Sequence, residues 1–196
     1  MINKLLLASR NLHKIQEFKE ILPAGIDLKS LVDFPQISDI EETGDSFQEN
    51  AFLKASTLHE YTKRLCIADD SGLCVHALHR APGIYSARYA GNKATDAQNR
   101  LKLLNDLLGV EDRRAYFICC IALVGDNTEA YFQGIINGHI SNDERGEKGF
   151  GYDSIFIPEG QNITFAEMEP MEKNAMSHRS RAFKDLKSYL DLLFKV

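Results

Sequence analysis

The hydrophobic and polar positions fall into alternating strand and helix segments. Residues 4–8 form a short apolar run, read as a buried strand, that ends in the polar turn Ser9-Arg10-Asn11. From Lys14 the period changes: Ile15, Phe18, Ile21 and Leu22 recur at spacings of three and four, one face of a helix that Pro23 and Gly25 end. Residues 26–31 predict a second strand, and an acidic loop follows at 39–45. Phe47, Ala51, Lys54, Ala55 and Leu58 mark a helix through about Tyr61. Residues 65–68 predict another buried strand, stopped by Asp69-Asp70-Ser71-Gly72, with extended structure resuming over 73–78. Pro82-Gly83 opens a loop through Gly91, and 96–108 predicts a helix with Leu101, Leu104 and Leu108 inward. Residues 114–124 and 129–138, rich in β-branched and aromatic side chains, predict a hairpin about the turn Gly125-Asp126-Asn127. A last helix is expected over 177–193, burying Ala182, Phe183, Leu186, Leu190 and Leu193.

Strand, polar turn and helix in that order begin an α/β unit. The expected fold is α/β, a mixed central sheet with helices and two lobes around an active-site cleft, built as one domain over residues 1–196. There is no internal repeat, low-complexity tract or linker. A formal net charge of -5 argues against non-specific nucleic-acid binding, which needs a basic face. Cys66, Cys74, Cys119 and Cys120 lie in or beside apolar runs without C-x-x-C spacing, so free buried thiols are expected. The first apolar run is too short for a signal core or a membrane span, and a cytoplasmic protein is the default expectation.

Four groups of residues carry chemistry. Gly149 and Gly151 around Phe150 let a backbone approach a flat ligand closely, since neither has a Cβ. Phe150 and Tyr152 offer stacking faces, and Asp153 an acceptor for ring N–H groups. Alone, the same run is more often a tight turn with a packed aromatic. Ser9, Arg10, Asn11, Leu12, His13 and Lys14 stand where a strand hands over to a helix, whose free amides, dipole and lysine suit a triphosphate. Ser or Asn as a plain N-cap explains the run equally well. Glu41, Glu42, Asp69 and Asp70 form two acidic pairs at the ends of different elements. Mg²⁺ needs only one or two carboxylates besides phosphate oxygens, and a carboxylate off the metal accepts a proton from water. Two solvated acidic turns are the bland alternative. Lys173, Ser177, His178 and Arg179 open the last helix and supply donors for an anion or a carbonyl-rich base.

Together these motifs resemble the inosine triphosphate pyrophosphatase family over nearly the whole chain. The resemblance runs through Ser9-x-Asn11-x-x-Lys14, Glu41-Glu42-Thr43-Gly44 and Ala68-Asp69-Asp70-Ser71-Gly72-Leu73, then Pro82-Gly83-Ile84-Tyr85-Ser86-Ala87-Arg88, Gly149-Phe150-Gly151-Tyr152-Asp153 and Ser177-His178-Arg179. Family members often carry a small residue where Arg10 stands. The resemblance implies Mg²⁺-dependent hydrolysis of deaminated purine nucleoside triphosphates (ITP, dITP, XTP) to the monophosphate and pyrophosphate, by a homodimer. It implies Asp70 as proton acceptor and metal ligand, and Glu41 as the other metal position with Glu42 close behind. Residues 9–14 and Ser71 match the phosphate site. Phe150, Gly151, Tyr152, Asp153, Lys173, His178 and Arg179 match the base and substrate pocket. A pyrophosphatase for pyrimidine nucleotides and a nucleotide-binding regulator without turnover are the competing readings.

Overall fold

The computed structural model describes residues 3–23 and 25–194. Six strands form one sheet in the order β2-β1-β3-β4-β5-β6. They are β1 (Asn3–Leu7), β2 (Ile26–Ser30), β3 (Cys66–Val75), β4 (Arg114–Gly125), β5 (Thr128–Ile140) and β6 (Phe156–Pro158). β1 runs parallel to both β2 and β3, while β5 and β6 are antiparallel, so the sheet is mixed as expected. The helices are α1 (Leu12–Ile21), α2 (Phe47–Thr62), α3 (Asp96–Asp106), α4 (Pro170–Met176) and α5 (His178–Phe194).

The chain divides into two compact units. The first holds residues 1–70, 119–133 and 181–196; the second holds 71–118 and 134–180. In the first, strand alternation sorts the core. Leu5 and Leu7 join Ile15, Phe18, Ile67, Phe183, Leu186 and Leu190 in one cluster, with α1 and α5. Leu6 and Ala8 join Ala51, Ala55, Leu58, Cys66 and Ala68 in another, with α2. Phe18 and Phe183 meet edge-on at 4.3 Å between centroids; truncating either to Ala costs about 3–5 kcal/mol. The second unit buries Leu73, Val75, Leu103, Leu107, Phe117, Ile136, Phe156 and Phe165 together. All four cysteines are free and buried, and burial pushes the Cys66 thiol up to about 11.

Several boundaries differ from expectation. β3 continues through Asp69-Asp70-Ser71-Gly72 instead of stopping there. α1 begins at Leu12, because Asn11 caps it. Leu101 and Leu108 are exposed, 59% and 77%, and α3 and the turn after it bury Leu103 and Leu107 instead. Leucines at 101, 103, 104, 107 and 108 satisfy two helical faces, so spacing alone does not choose between them. Leu193 is likewise exposed, and the side chain of Ile21 lies outside the described residues. Lys173, expected to open the last helix, lies in the separate short helix α4, and α5 starts at His178; β6 is too short to establish a period. Among the described residues no helix is long and apolar enough to cross a membrane.

Candidate active site

In the first unit, the parallel pairing of β1 with β3 sets the chemistry. Residues 9–14 follow the end of β1, and Asp69 and Asp70 continue β3 beyond its paired register with β1. In parallel sheets this is the end at which ligands bind. Lys14 reaches from the first turn of α1 to Asp69, Nζ to Oδ2 at 2.9 Å. Asn11 caps that helix, its Oδ1 accepting from the amides of His13 and Lys14, while Ser9 Oγ accepts from the Asn11 amide. Leu12 and His13 are exposed. Arg10 points away: its guanidinium donates to the carbonyls of Leu31 and Ile37 and to the Asp39 carboxylate. Its side chain therefore ties the loop to residues 31–39.

Asp70 is 6% exposed and sits in a polar network. Asn50 Nδ2 donates to Asp70 Oδ2 at 3.1 Å, and Asn50 Oδ1 accepts from the Gly44 amide at 2.8 Å. A Cβ at Gly44 would lie 2.7 Å from Glu49 Cβ, so the acidic loop passes α2 too closely for a side chain. Lys54, one turn after Asn50 on α2, donates to Glu42 Oε1 at 2.6 Å and to the Asp69 carbonyl at 2.7 Å, with Asp70 Oδ1 at 3.8 Å. Burial pushes the Asp70 carboxyl up and Glu42 adds to this, against the pull of Lys54, Lys14 and Asn50. Burial alone would lower Lys54, but the carboxylates of Asp70, Asp69 and Glu42 together hold it above its usual value. It is Glu42 that the structure brings to this network; Glu41 is exposed. Asn50 and Lys54 escaped the sequence reading, which put Lys54 on a core-facing helix face without assigning it chemistry. The available signal was a polar i, i+4 pair on the face that also carries Ala51, Ala55 and Leu58.

The second unit gathers the other group. Lys173 Nζ reaches Asp153 Oδ2 at 2.6 Å and lies 4.8 Å from the Phe150 ring centroid. The same Asp153 oxygen accepts from the Phe150 amide at 2.9 Å. Gly149 is at φ +78°, and a Cβ there would lie 2.1 Å from that oxygen, so only glycine fits. Asp153 thus orders the loop with this oxygen. Tyr152 is buried and donates its hydroxyl to the Ser86 carbonyl at 2.8 Å. Burial, with the charge of Asp96, holds its phenol well above the usual range, so it stays a donor. Tyr152 consequently braces the loop and Phe150 keeps the half-exposed ring. His178 is buried and stacked on Phe117, 4.9 Å between centroids and 12° between planes. Arg179 is buried and donates from Nη2 to Ser71 Oγ at 3.2 Å. The loop opened by Pro82-Gly83 is a packed one: Ser86 Oγ accepts from the Leu73 amide, and Asn99 on α3 holds Ala87 and Ala90.

Residues 5–189 match the Ham1 family. A dITP/XTP pyrophosphatase of Bacillus licheniformis is 45% identical, over 97% of this chain and 99% of that protein. One of Christiangramia forsetii is 47% identical, over 95% of this chain and 98% of that protein. Among solved structures, the Ham1 protein of Staphylococcus aureus superposes with a TM-score of 0.90 at 41% identity, covering 96% of this chain and 98% of that one. The Ham1 protein of Coxiella burnetii superposes equally well at 42% identity, with the same coverage. With the sheet order, the buried acid and lysine network and the glycine-bounded loop all in place over that length, the chain belongs to the Ham1 family.

Proposed function

We propose that this protein hydrolyses deaminated purine nucleoside triphosphates (ITP, dITP and XTP) to the monophosphate and pyrophosphate, removing them from the nucleotide pool. The observation that carries the reading is Asp70, a carboxylate buried beside Asn50, Lys54 and Lys14 in a chain whose relatives are named dITP/XTP pyrophosphatases. Burial makes Asp70 a better proton acceptor than an exposed carboxylate. The water oxygen attacks the α-phosphorus, its proton passes to Asp70, and the bond to the β-phosphate oxygen breaks with the electron pair leaving on pyrophosphate. Asn50 fixes one Asp70 oxygen, and Lys54 and Lys14 offset the negative charge of acids and phosphates.

The donor set fits Mg²⁺. Asp70, Glu42 and Asp69 offer a small number of hard oxygen donors, Asp70 and Asp69 buried. That suits an ion that takes most of its ligands from phosphates and water. Asp70 and Glu42 would hold it, with Glu41 available from the same loop; when bound it polarises the phosphate oxygens. Lys173, His178 and Arg179 supply donors for the C6 carbonyl of hypoxanthine or xanthine. Adenine has an amino group there, and a buried donor facing a donor rejects it by up to ~10⁴-fold. The family resemblance supports a homodimer as the working form, which sedimentation at micromolar concentration tests. Product analysis tests the reaction: ITP with Mg²⁺ gives IMP and pyrophosphate, whereas IDP and orthophosphate would overturn the proposed bond cleavage.

A further inference from the structure

Neither Asp96 nor Arg100 belongs to the groups described so far, yet both hold the backbone of one residue in the loop at 149–153. Both stand near the start of α3, four apart and therefore on one face. Asp96 Oδ2 accepts from the Gly151 amide at 2.8 Å. Arg100 Nη1 donates to the Gly151 carbonyl at 2.8 Å. Arg100 is itself oriented, since its Nε donates to Glu144 Oε2 at 2.8 Å and that oxygen also accepts from Ser154 Oγ at 3.1 Å. Gly151 sits at φ +60°, a conformation a glycine adopts easily but does not prefer, so the clamp selects it from the wide range open to glycine. The residue before this clamp is Phe150, whose ring faces Lys173; the residue after it is Tyr152, braced on Ser86. A charged residue on each of the two peptides that flank the Gly151 Cα fixes how the backbone turns there, and hence how the Phe150 ring is presented.

We infer that Asp96 and Arg100 are positioning residues for purine recognition: by clamping the two peptides that flank Gly151 they set how well the loop discriminates deaminated bases. The inference rests on the pyrophosphatase reading and extends it to two residues outside the pocket. The clamp acts on base binding and leaves the acid and lysine network of the other unit untouched. Its loss therefore falls on KM and on base selectivity, with kcat for ITP nearly kept.

The test compares wild type, Asp96→Ala, Asp96→Asn, Arg100→Ala, Arg100→Lys and Gln98→Ala with ITP and ATP under saturating Mg²⁺. Gln98 pairs with Thr95 in the capping box of α3, so its variant reports the effect of a weakened helix start. A charge-assisted hydrogen bond that is partly exposed favours the conformation it holds by about tenfold. Asp96→Ala and Arg100→Ala are expected to raise KM for ITP by about tenfold, to change kcat by less than about twofold, and to narrow the ITP-to-ATP ratio of kcat/KM. Asp96→Asn keeps an acceptor and Arg100→Lys keeps a donor, so both recover most of the ratio, and Gln98→Ala leaves it at the wild-type value. If one alanine variant fails to fold, the other supplies the comparison, since each removes one side of the clamp. An unchanged ratio in the alanine variants, or an equal fall in Gln98→Ala, overturns the inference while leaving the pyrophosphatase reading in place. A wild type without activity on ITP removes that reading, and the inference with it.

Discussion

Replacing Asp70 by Asn separates activity from stability, because the same burial serves one and opposes the other. Asn keeps the shape and one acceptor oxygen, so the bond from Asn50 persists. It removes the proton acceptor, which costs about 10²–10⁴-fold in kcat, or about 2.7–5.5 kcal/mol of transition-state stabilisation. The stability effect has the other sign. In the folded, metal-free protein the Asp70 carboxyl is held above its ordinary range, chiefly by burial. The folded state therefore binds its proton more tightly than the unfolded chain does. Stability from this group is highest in acid and declines as pH rises from the usual carboxylate range through the folded pKa. Asn has no charge to desolvate and escapes that decline. Lys54 keeps Glu42 at 2.6 Å and the Asp69 carbonyl at 2.7 Å, and loses only its longest contact, 3.8 Å to Asp70. Thermal melts in EDTA at pH 4 and pH 7.5 should show Asp70→Asn melting at or above wild type at the higher pH, with the difference shrinking in acid. A variant that melts well below wild type at pH 7.5, or one that retains kcat within threefold, refutes this account of Asp70.

Three further outcomes are expected. Lys54→Met leaves Glu42 and Asp70 facing each other inside the protein, and losing one partner of a buried charge network costs about 3–5 kcal/mol; since Lys54 is held above its usual value, the wild-type advantage should persist up to pH 10 in denaturant titrations and fade only beyond it. Arg179→Ala should impair ITP turnover and narrow its lead over ATP, with His178→Ala acting more weakly because its ring is fixed against Phe117; unchanged ratios in both would place discrimination elsewhere. Activity should disappear in excess EDTA, return best with Mg²⁺, more weakly with Mn²⁺ and poorly with Ca²⁺, and climb into the alkaline range; full activity in EDTA contradicts the role given to the acidic network.

Much of this architecture is legible in the chain, and the misreadings have physical causes. The order of β1, turn and α1 is legible because apolar run, polar turn and helical period follow one another, although the period starts at Lys14 and the Asn11 cap starts the helix at Leu12. Asp69-Asp70-Ser71-Gly72 was read as a stop, since carboxylates and glycine seldom continue a buried strand. β3 nonetheless runs through them because Lys14 and Lys54 arrive from α1 and α2 to meet the charge. Those contacts are long-range, and no local pattern encodes them. The same holds for Asn50, which counts as one more helical residue until its amide is seen bridging Gly44 and Asp70. In the loop at 149–153 the glycines read as room for a flat ligand have internal causes: Gly149 makes way for Asp153 Oδ2, and Gly151, whose Cβ would meet nothing within 4 Å, takes a positive φ. Tyr152 and one oxygen of Asp153 turned out to face inward, on Ser86 and on Lys173 with the Phe150 amide. A residue type suited to a ligand is equally suited to bracing the loop that holds one, and only coordinates separate the two roles.

On the proposed function, the buried acid and lysine network supplies the hydrolysis, and the donors of Lys173, His178 and Arg179 supply the preference for deaminated purines. This division of roles is tested most directly by pyrophosphate release from ITP, XTP, ATP, GTP and dTTP with Mg²⁺, measured for wild type and Asp70→Asn side by side. The account predicts ITP and XTP far ahead of the other three in wild type, and release lost for every substrate in the variant. Equal rates across the five nucleotides, a lead for dTTP, or no release from any of them would contradict it.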